Sequence, residues 1–215
     1  MSATNNYCRI DNLSPHAALQ TLIEGNERYI ADHLEHPHED AQRRIELSRT
    51  QNPFAVVLGC ADSRVIPELI FDQGIGDIFT IRIAGGVAGD GVIASIEYAI
   101  EHFGTQLVVV VGHERCGAVT AAVKNEAVKG KGSSLMRYIE PAVQSILTQP
   151  GDLLTNAIQA HAKHTVNVLL HQEPILMNHY KNGSLEIVPA YYHLATGKVD
   201  ILSEVRSRSN DLVMV

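Results

Sequence analysis

Two short segments carry residue types suited to metal chemistry. Cys60-Ala61-Asp62-Ser63-Arg64 offers a thiol, a carboxylate and a guanidinium, and Gly112-His113-Glu114-Arg115-Cys116-Gly117 offers an imidazole and a second thiol. Zinc takes thiolate sulfur and imidazole nitrogen, with four protein groups in structural sites and three plus a water in catalytic ones. Cys60, His113 and Cys116 make a set of three. The remaining cysteine, Cys8, lies in a polar N-terminal stretch with no partner motif nearby, and it reads as incidental. One corner of the metal is therefore expected to stay open. His-x-x-Cys alone arises by chance, but a further Cys at the end of a neighbouring strand and an Asp–Arg pair beside it make the pattern specific.

The flanking charges add to this chemistry. Two thiolates cancel the charge of a divalent ion, so acidifying a water there needs help from beyond the ligands. Asp62, two residues after Cys60, can accept the hydrogen bond of such a water or hydroxide. It can also swing in and take the open corner itself, closing the site. Arg64 presents a fork matched to a carboxylate and would hold Asp62 away from the metal. The plainer alternative is an ion pair that only fixes the loop.

Positioning these groups requires two strands that end side by side. Phe54 to Leu58 and Leu107 to Val111 are short apolar runs directly ahead of the two segments, the pattern of strands buried on both faces of a parallel sheet. Function in such sheets collects outside the carboxyl ends of the strands. A further strand is expected at Ile78 to Ile83. Helices are expected from Leu13 to Leu34 with Ser14 as cap and Pro15 in the first turn, at Ala41 to Thr50, at Val65 to Phe71, from Val92, from Ala118, at Leu135 to Leu147 and at Leu153 to Asn178. Alternating strands and helices predict an α/β fold. The end, from Leu185 to Leu202, reads as a hairpin turning at Thr196-Gly197.

Other features read as connectors or solvated faces. His33 to Asp40 holds three histidines but is polar and broken by Pro37, so a solvated connector is expected. Gly130 to Ser134 reads as a flexible break. His161 and His164 could share a helix face; lacking a third ligand, they read as solvated or partly packed. The glycines between Ala84 and Gly91 fit neither a dinucleotide fingerprint nor a lysine-bearing phosphate loop, which argues against nucleotide binding.

Bulk properties fit one domain spanning 1–215, with 1–12 as a flexible tail: 215 residues, 23.5 kDa and ordinary composition. A formal net charge of −7 and the lack of a basic stripe argue against nucleic acid. No apolar run is long enough to span a membrane and the start lacks a secretory core, so a cytoplasmic protein is expected.

Taken together, Cys60-Ala61-Asp62-Ser63-Arg64, Ile96-Glu97-Tyr98-Ala99 and Gly112-His113-x-x-Cys116-Gly117 resemble the β-class carbonic anhydrases over about Leu13 to Leu202. The resemblance implies reversible hydration of CO₂ to bicarbonate and a proton, by attack of zinc-bound hydroxide. It implies one zinc per subunit on Cys60, His113 and Cys116, a dyad of Asp62 and Arg64, and ligation by Asp62 only in a closed, inactive state. Gln51 falls where plant-type members hold the substrate through a glutamine. Phe79, Ala84, Tyr98 and Gly117 match positions of the substrate pocket, which forms between two subunits. The implied fold is a mostly parallel central sheet flanked by helices, with an antiparallel edge strand and N-terminal helices packing on a partner subunit in a homodimer or homotetramer.

Several positions depart from that pattern. Ala84 replaces a branched aliphatic, Ile83 and Gly86 stand where many members have asparagine, and the segment between Gly85 and Ile96 is shorter than in plant-type members. A roomier pocket mouth keeps a COS or CS₂ hydrolase as the alternative reaction. The chain has no Trp, so the inhibitory bicarbonate site of one subgroup is not expected. A non-catalytic zinc-stabilised interaction protein would have no use for both Asp62 and Arg64. Zinc alcohol dehydrogenase shares the Cys₂His donor set but needs a dinucleotide fingerprint that this chain lacks.

Overall fold

A computed structural model describes residues 13–126 and 128–203. The expected N-terminal tail, 1–12, and Cys8 lie outside them. In chain order the helices are α1 (Pro15–Ile30), α2 (Ala41–Glu46), α3 (Pro67–Ile70), α4 (Asp90–Phe103), α5 (Gly117–Val123), α6 (Ser133–Gln144), α7 (Leu153–Leu170) and α8 (Ile175–Lys181). The strands are β1 (Ala55–Gly59), β2 (Ile78–Arg82), β3 (Leu107–His113), β4 (Glu186–Tyr192) and β5 (Val199–Ile201).

The five strands form one sheet in the order β2-β1-β3-β4-β5. Strands β1 to β4 pair in parallel, and only β5 runs antiparallel, along β4. Gly197, with φ of +76°, makes the left-handed turn between the last two strands, as its sequence predicts. The chain leaves β1 for β2 on one side and returns to β3 on the other. Gly59 at the end of β1 pairs with Val111 near the end of β3, so Cys60 and His113 emerge beside this reversal, where open α/β sheets place their sites.

Strand side chains alternate between two covered faces. Ala55, Val57, Val109, Val111 and Val188 pack with Leu19, Leu22 and Phe71 on one side. On the other, Val56, Leu58, Val108 and Val110 pack with Ile96 and Ile100 of α4 and Val166 and Leu169 of α7. A third cluster, under α5, α6 and α7, contains Cys60 and Cys116 together with Val119, Ile139, Ile158 and Tyr191. The two thiols thus sit inside apolar packing.

Three local expectations change. The helix expected over Leu153–Asn178 is two helices, because Pro174 has no N–H to continue α7 and disfavours helical backbone at Glu173. Gly130–Gly132 is a 3₁₀ turn leading into α6, held as the Ser133 and Ser134 hydroxyls donate to the Gly130 and Lys131 carbonyls. The connector around His36 is anchored: buried Asp72 accepts from the N–H groups of Glu35 and His36, and buried Asp77 accepts from His38 Nδ1 at 2.8 Å. Helix α1, capped by Ser14 as expected, buries Leu19 and Leu22 on its own chain's sheet.

Candidate metal centre

Backbone hydrogen bonds fix the first loop before any side chain acts. Beyond β1, Ile83 N–H donates to the Gly59 carbonyl and Ala61 N–H to that of Ile83. Arg82 then clamps the loop, its Nε donating to the Cys60 carbonyl at 3.1 Å and Nη2 to that of Asp62 at 2.6 Å. Cys60 Sγ accepts from the N–H groups of Gly85 at 3.3 Å and Asp62 at 3.4 Å. The second loop is tied to the hairpin: Glu114 N–H donates to the Tyr192 carbonyl, and Glu114 Oε2 accepts from Leu194 N–H. Arg115, at φ +54°, then turns the chain so that Cys116 opens α5.

Ligand atoms of Cys60, His113 and Cys116 all lie within 4.8 Å of one another, and all three residues are buried. His113 Nδ1 donates to the Glu114 carbonyl at 2.9 Å, which in the neutral ring leaves Nε2 a bare lone pair. Nε2 is buried and has no hydrogen-bond partner. A buried orphan acceptor is costly, and here it belongs to a ring grouped with two sulfurs. The Cys116 thiol, with His113 and the two backbone N–H groups, pulls the Cys60 thiol down against the effect of burial. Neighbouring Cys60 and burial push Cys116 up. A cation in the same place requires both sulfurs as thiolates and would displace their protons. Two sulfurs and one imidazole, with the imidazole oriented by a backbone carbonyl, form a donor set that fits zinc.

Asp62 faces this cluster without joining it. Its Oδ2 stands 4.0 Å from His113 Nε2. Arg64 holds the carboxylate through Nε at 2.9 Å, Nη2 at 2.8 Å and its own N–H at 3.0 Å. That pairing keeps the Asp62 carboxyl well below the usual carboxylate range, so Asp62 is an anion that only accepts hydrogen bonds.

The remaining sequence-derived residues are distributed around one chain. Ala84, exposed, precedes Gly85, and Gly117, also exposed, follows Cys116. Gln51 is exposed and lies before the amino end of β1, while Cys60 follows its carboxyl end. Phe79 pairs with Val56, three positions below the Gly59–Arg82 pair at the ligand end. Tyr98, 48% exposed, stacks on His102 and meets Phe103, which in turn meets Phe79. The chain therefore gathers Cys60, Asp62, Arg64, His113 and Cys116 at one rim and places Gln51, Phe79 and Tyr98 elsewhere.

Sequence reasoning missed Arg82, Gly85, Glu114 and His161. His161 was expected on a solvated or partly packed face, yet it is 4% exposed, with Nε2 2.9 Å from the Gly85 carbonyl. Its spacing from Ile158, Ala162 and Thr165 was the available signal, since those positions form the buried stripe of α7.

Comparison with known proteins shows the family and the fold. The family model described as carbonic anhydrase matches residues 55–199. Carbonic anhydrase 2 of Mycobacterium tuberculosis is 40% identical over 192 residues, covering 87% of this chain and 92% of that protein. The carbonic anhydrase of Mycolicibacterium smegmatis is 38% identical over 198 residues, covering 90% and 96%. Among solved structures, the β-carbonic anhydrase CcaA superposes with a TM-score of 0.68 at 25% identity, covering 86% of this chain and 95% of that one. A tetrameric β-carbonic anhydrase of Sordaria macrospora, at 20% identity, TM-score 0.68 and coverage of 87% and 95%, shares the fold.

Proposed function

The chain belongs to the β-carbonic anhydrase family and is a carbonic anhydrase, and from that premise we propose how its residues carry out CO₂ hydration: Cys60, His113 and Cys116 hold one zinc, and the Asp62–Arg64 dyad orients the nucleophile. The observation that carries the metal assignment is the buried, partnerless Nε2 of His113, on a ring grouped with two buried thiols. Zinc, once bound there, supplies the Lewis acidity that makes water nucleophilic near neutral pH.

The protein's own residues do the rest by position. Asp62 remains ionised, so it is not a base that takes up protons during turnover; it accepts one hydrogen bond and thereby aims a lone pair of the nucleophile at the substrate. Arg64 keeps the carboxylate at its present distance from His113, and loss of that grip would allow Asp62 into the open corner.

A complete pocket is proposed to require a second copy. Strand β1 is about 16 Å long at 3.3 Å per residue, which puts Gln51 at the wrong end to serve its own chain's Cys60. The half-buried Phe79 and Ile81 of edge strand β2, with exposed Tyr98 on α4, offer the second copy an apolar surface. Two thiols that must stay reduced to serve as ligands fit a reducing compartment, and a cytoplasmic location is proposed on that ground. Among the described residues no helix is long and apolar enough to cross a membrane.

Stopped-flow CO₂ hydration on zinc-loaded protein tests the reaction. Sulfide release from COS on the same sample tests the alternative: faster COS hydrolysis than CO₂ hydration would reverse the assignment. Metal analysis should give one zinc per chain, and Cys60→Ser should lose both zinc and activity.

A further inference from the structure

His161 is a buried titratable group that the proposed reaction does not use. It occupies the apolar stripe of α7, between Ile158 and Thr165, where a leucine would fill space without any polar atom to satisfy. A carbonyl can only accept, so the 2.9 Å contact to Gly85 requires the proton on Nε2. Burial pushes the ring's pKa down to about 4, so it stays neutral and Nδ1 is a bare acceptor. Nδ1 is buried without a partner, which costs stability. A position that retains this cost needs a compensating role.

Gly85 supplies one. It sits at φ +76°, ψ −2° inside the 3₁₀ turn Ala84–Gly86, and its N–H donates to Cys60 Sγ at 3.3 Å. Glycine suits this backbone, since a side chain at positive φ is strained and its Cβ would lie a tight 3.1 Å from Ile139 Cδ1 and 3.2 Å from Ala118 Cβ. It is also the residue with most freedom to leave that conformation. The His161 ring grips the carbonyl of the residue whose N–H points at the sulfur. We propose that His161 is a positioning residue: by holding the Gly85 carbonyl it keeps the Gly85 N–H on Cys60 Sγ, and so fixes the position and hydrogen bonding of this sulfur toward a bound metal.

This inference rests on Cys60 being a ligand, and the test separates the two. Met and Gln are similar in length and flexibility, but only Gln can donate to the Gly85 carbonyl. In cobalt-substituted protein, His161→Met should shift the sulfur-to-metal charge-transfer band and weaken zinc retention against a chelator by about 10–100-fold. His161→Gln should keep both near wild type. Equal behaviour of the two variants, whether both are normal or both impaired, overturns the proposal in favour of a packing role. If the variants do not fold, ¹⁵N spectra of zinc-loaded wild type decide: a proton on Nε2 with bare Nδ1 supports it, and the opposite tautomer overturns it. A wild-type cobalt protein with no charge-transfer band that depends on Cys60 would instead overturn the ligand assignment.

Discussion

In the proposed site Asp62 is caught between two demands, facing the metal position and staying off it. Arg64 settles the competition by occupying both carboxylate oxygens. Asp62→Asn should keep zinc, because the ligands are untouched, while CO₂ hydration falls about 100-fold; an undiminished rate with full zinc would remove the dyad from the mechanism. The same pairing fixes the pH behaviour. A carboxyl whose pKa is lowered in the folded protein loses its charge only when pH falls through that lowered value. Protonation of Asp62 therefore cannot produce a rate loss near neutrality. If wild type nonetheless loses rate steeply there, entry of Asp62 into the open corner is the remaining route through this residue, and Arg64→Gln should move the loss to higher pH.

At the scale of elements, the site depends on tethers that tie loops to strand ends. Asp72 is one that acts away from the metal: nearly fully buried, it binds Arg28 Nε at 2.6 Å and holds the connector through two backbone N–H groups. Burial pushes its carboxyl up, but Arg28 and the N–H groups of Glu35 and His36 outweigh burial and hold it low. Its stabilising contribution is present above the ordinary carboxylate range and fades as pH falls below it. Asp72→Ala should cost about 3 kcal/mol in urea unfolding at neutral pH, and the difference from wild type should shrink in acid. This tether was not legible in the sequence, because a lone Asp in a turn gives no sign of which distant N–H groups will meet it. The strands before Cys60 and His113 were legible, since continuous apolar runs have one use in a covered sheet. The break at Pro174 was there to be read, but the apolar repeat on both sides of it suggested a single helix. His161 was hidden because histidine is polar by type, although its place in the stripe was apolar.

At the scale of the whole molecule, the described residues form one sheet with the proposed chemistry on one rim and the proposed substrate glutamine at the other end. That separation leads to a test no single-chain reading passes. In a symmetric dimer with shared pockets, each site would take its metal ligands from one chain and Gln51 from the partner. Pair a Cys60→Ser chain with a Gln51→Ala chain, each carrying a different affinity tag, and purify the mixed dimer. One site then collects both defects, and the other collects none. The mixed dimer should hydrate CO₂ at about half the wild-type rate per dimer, while each variant alone is impaired. If Gln51 served its own chain's zinc, each site would carry one defect, and the mixed dimer would only average the two impaired parents. A monomeric protein with full activity would go further, since it would show that Gln51 is not needed from any partner.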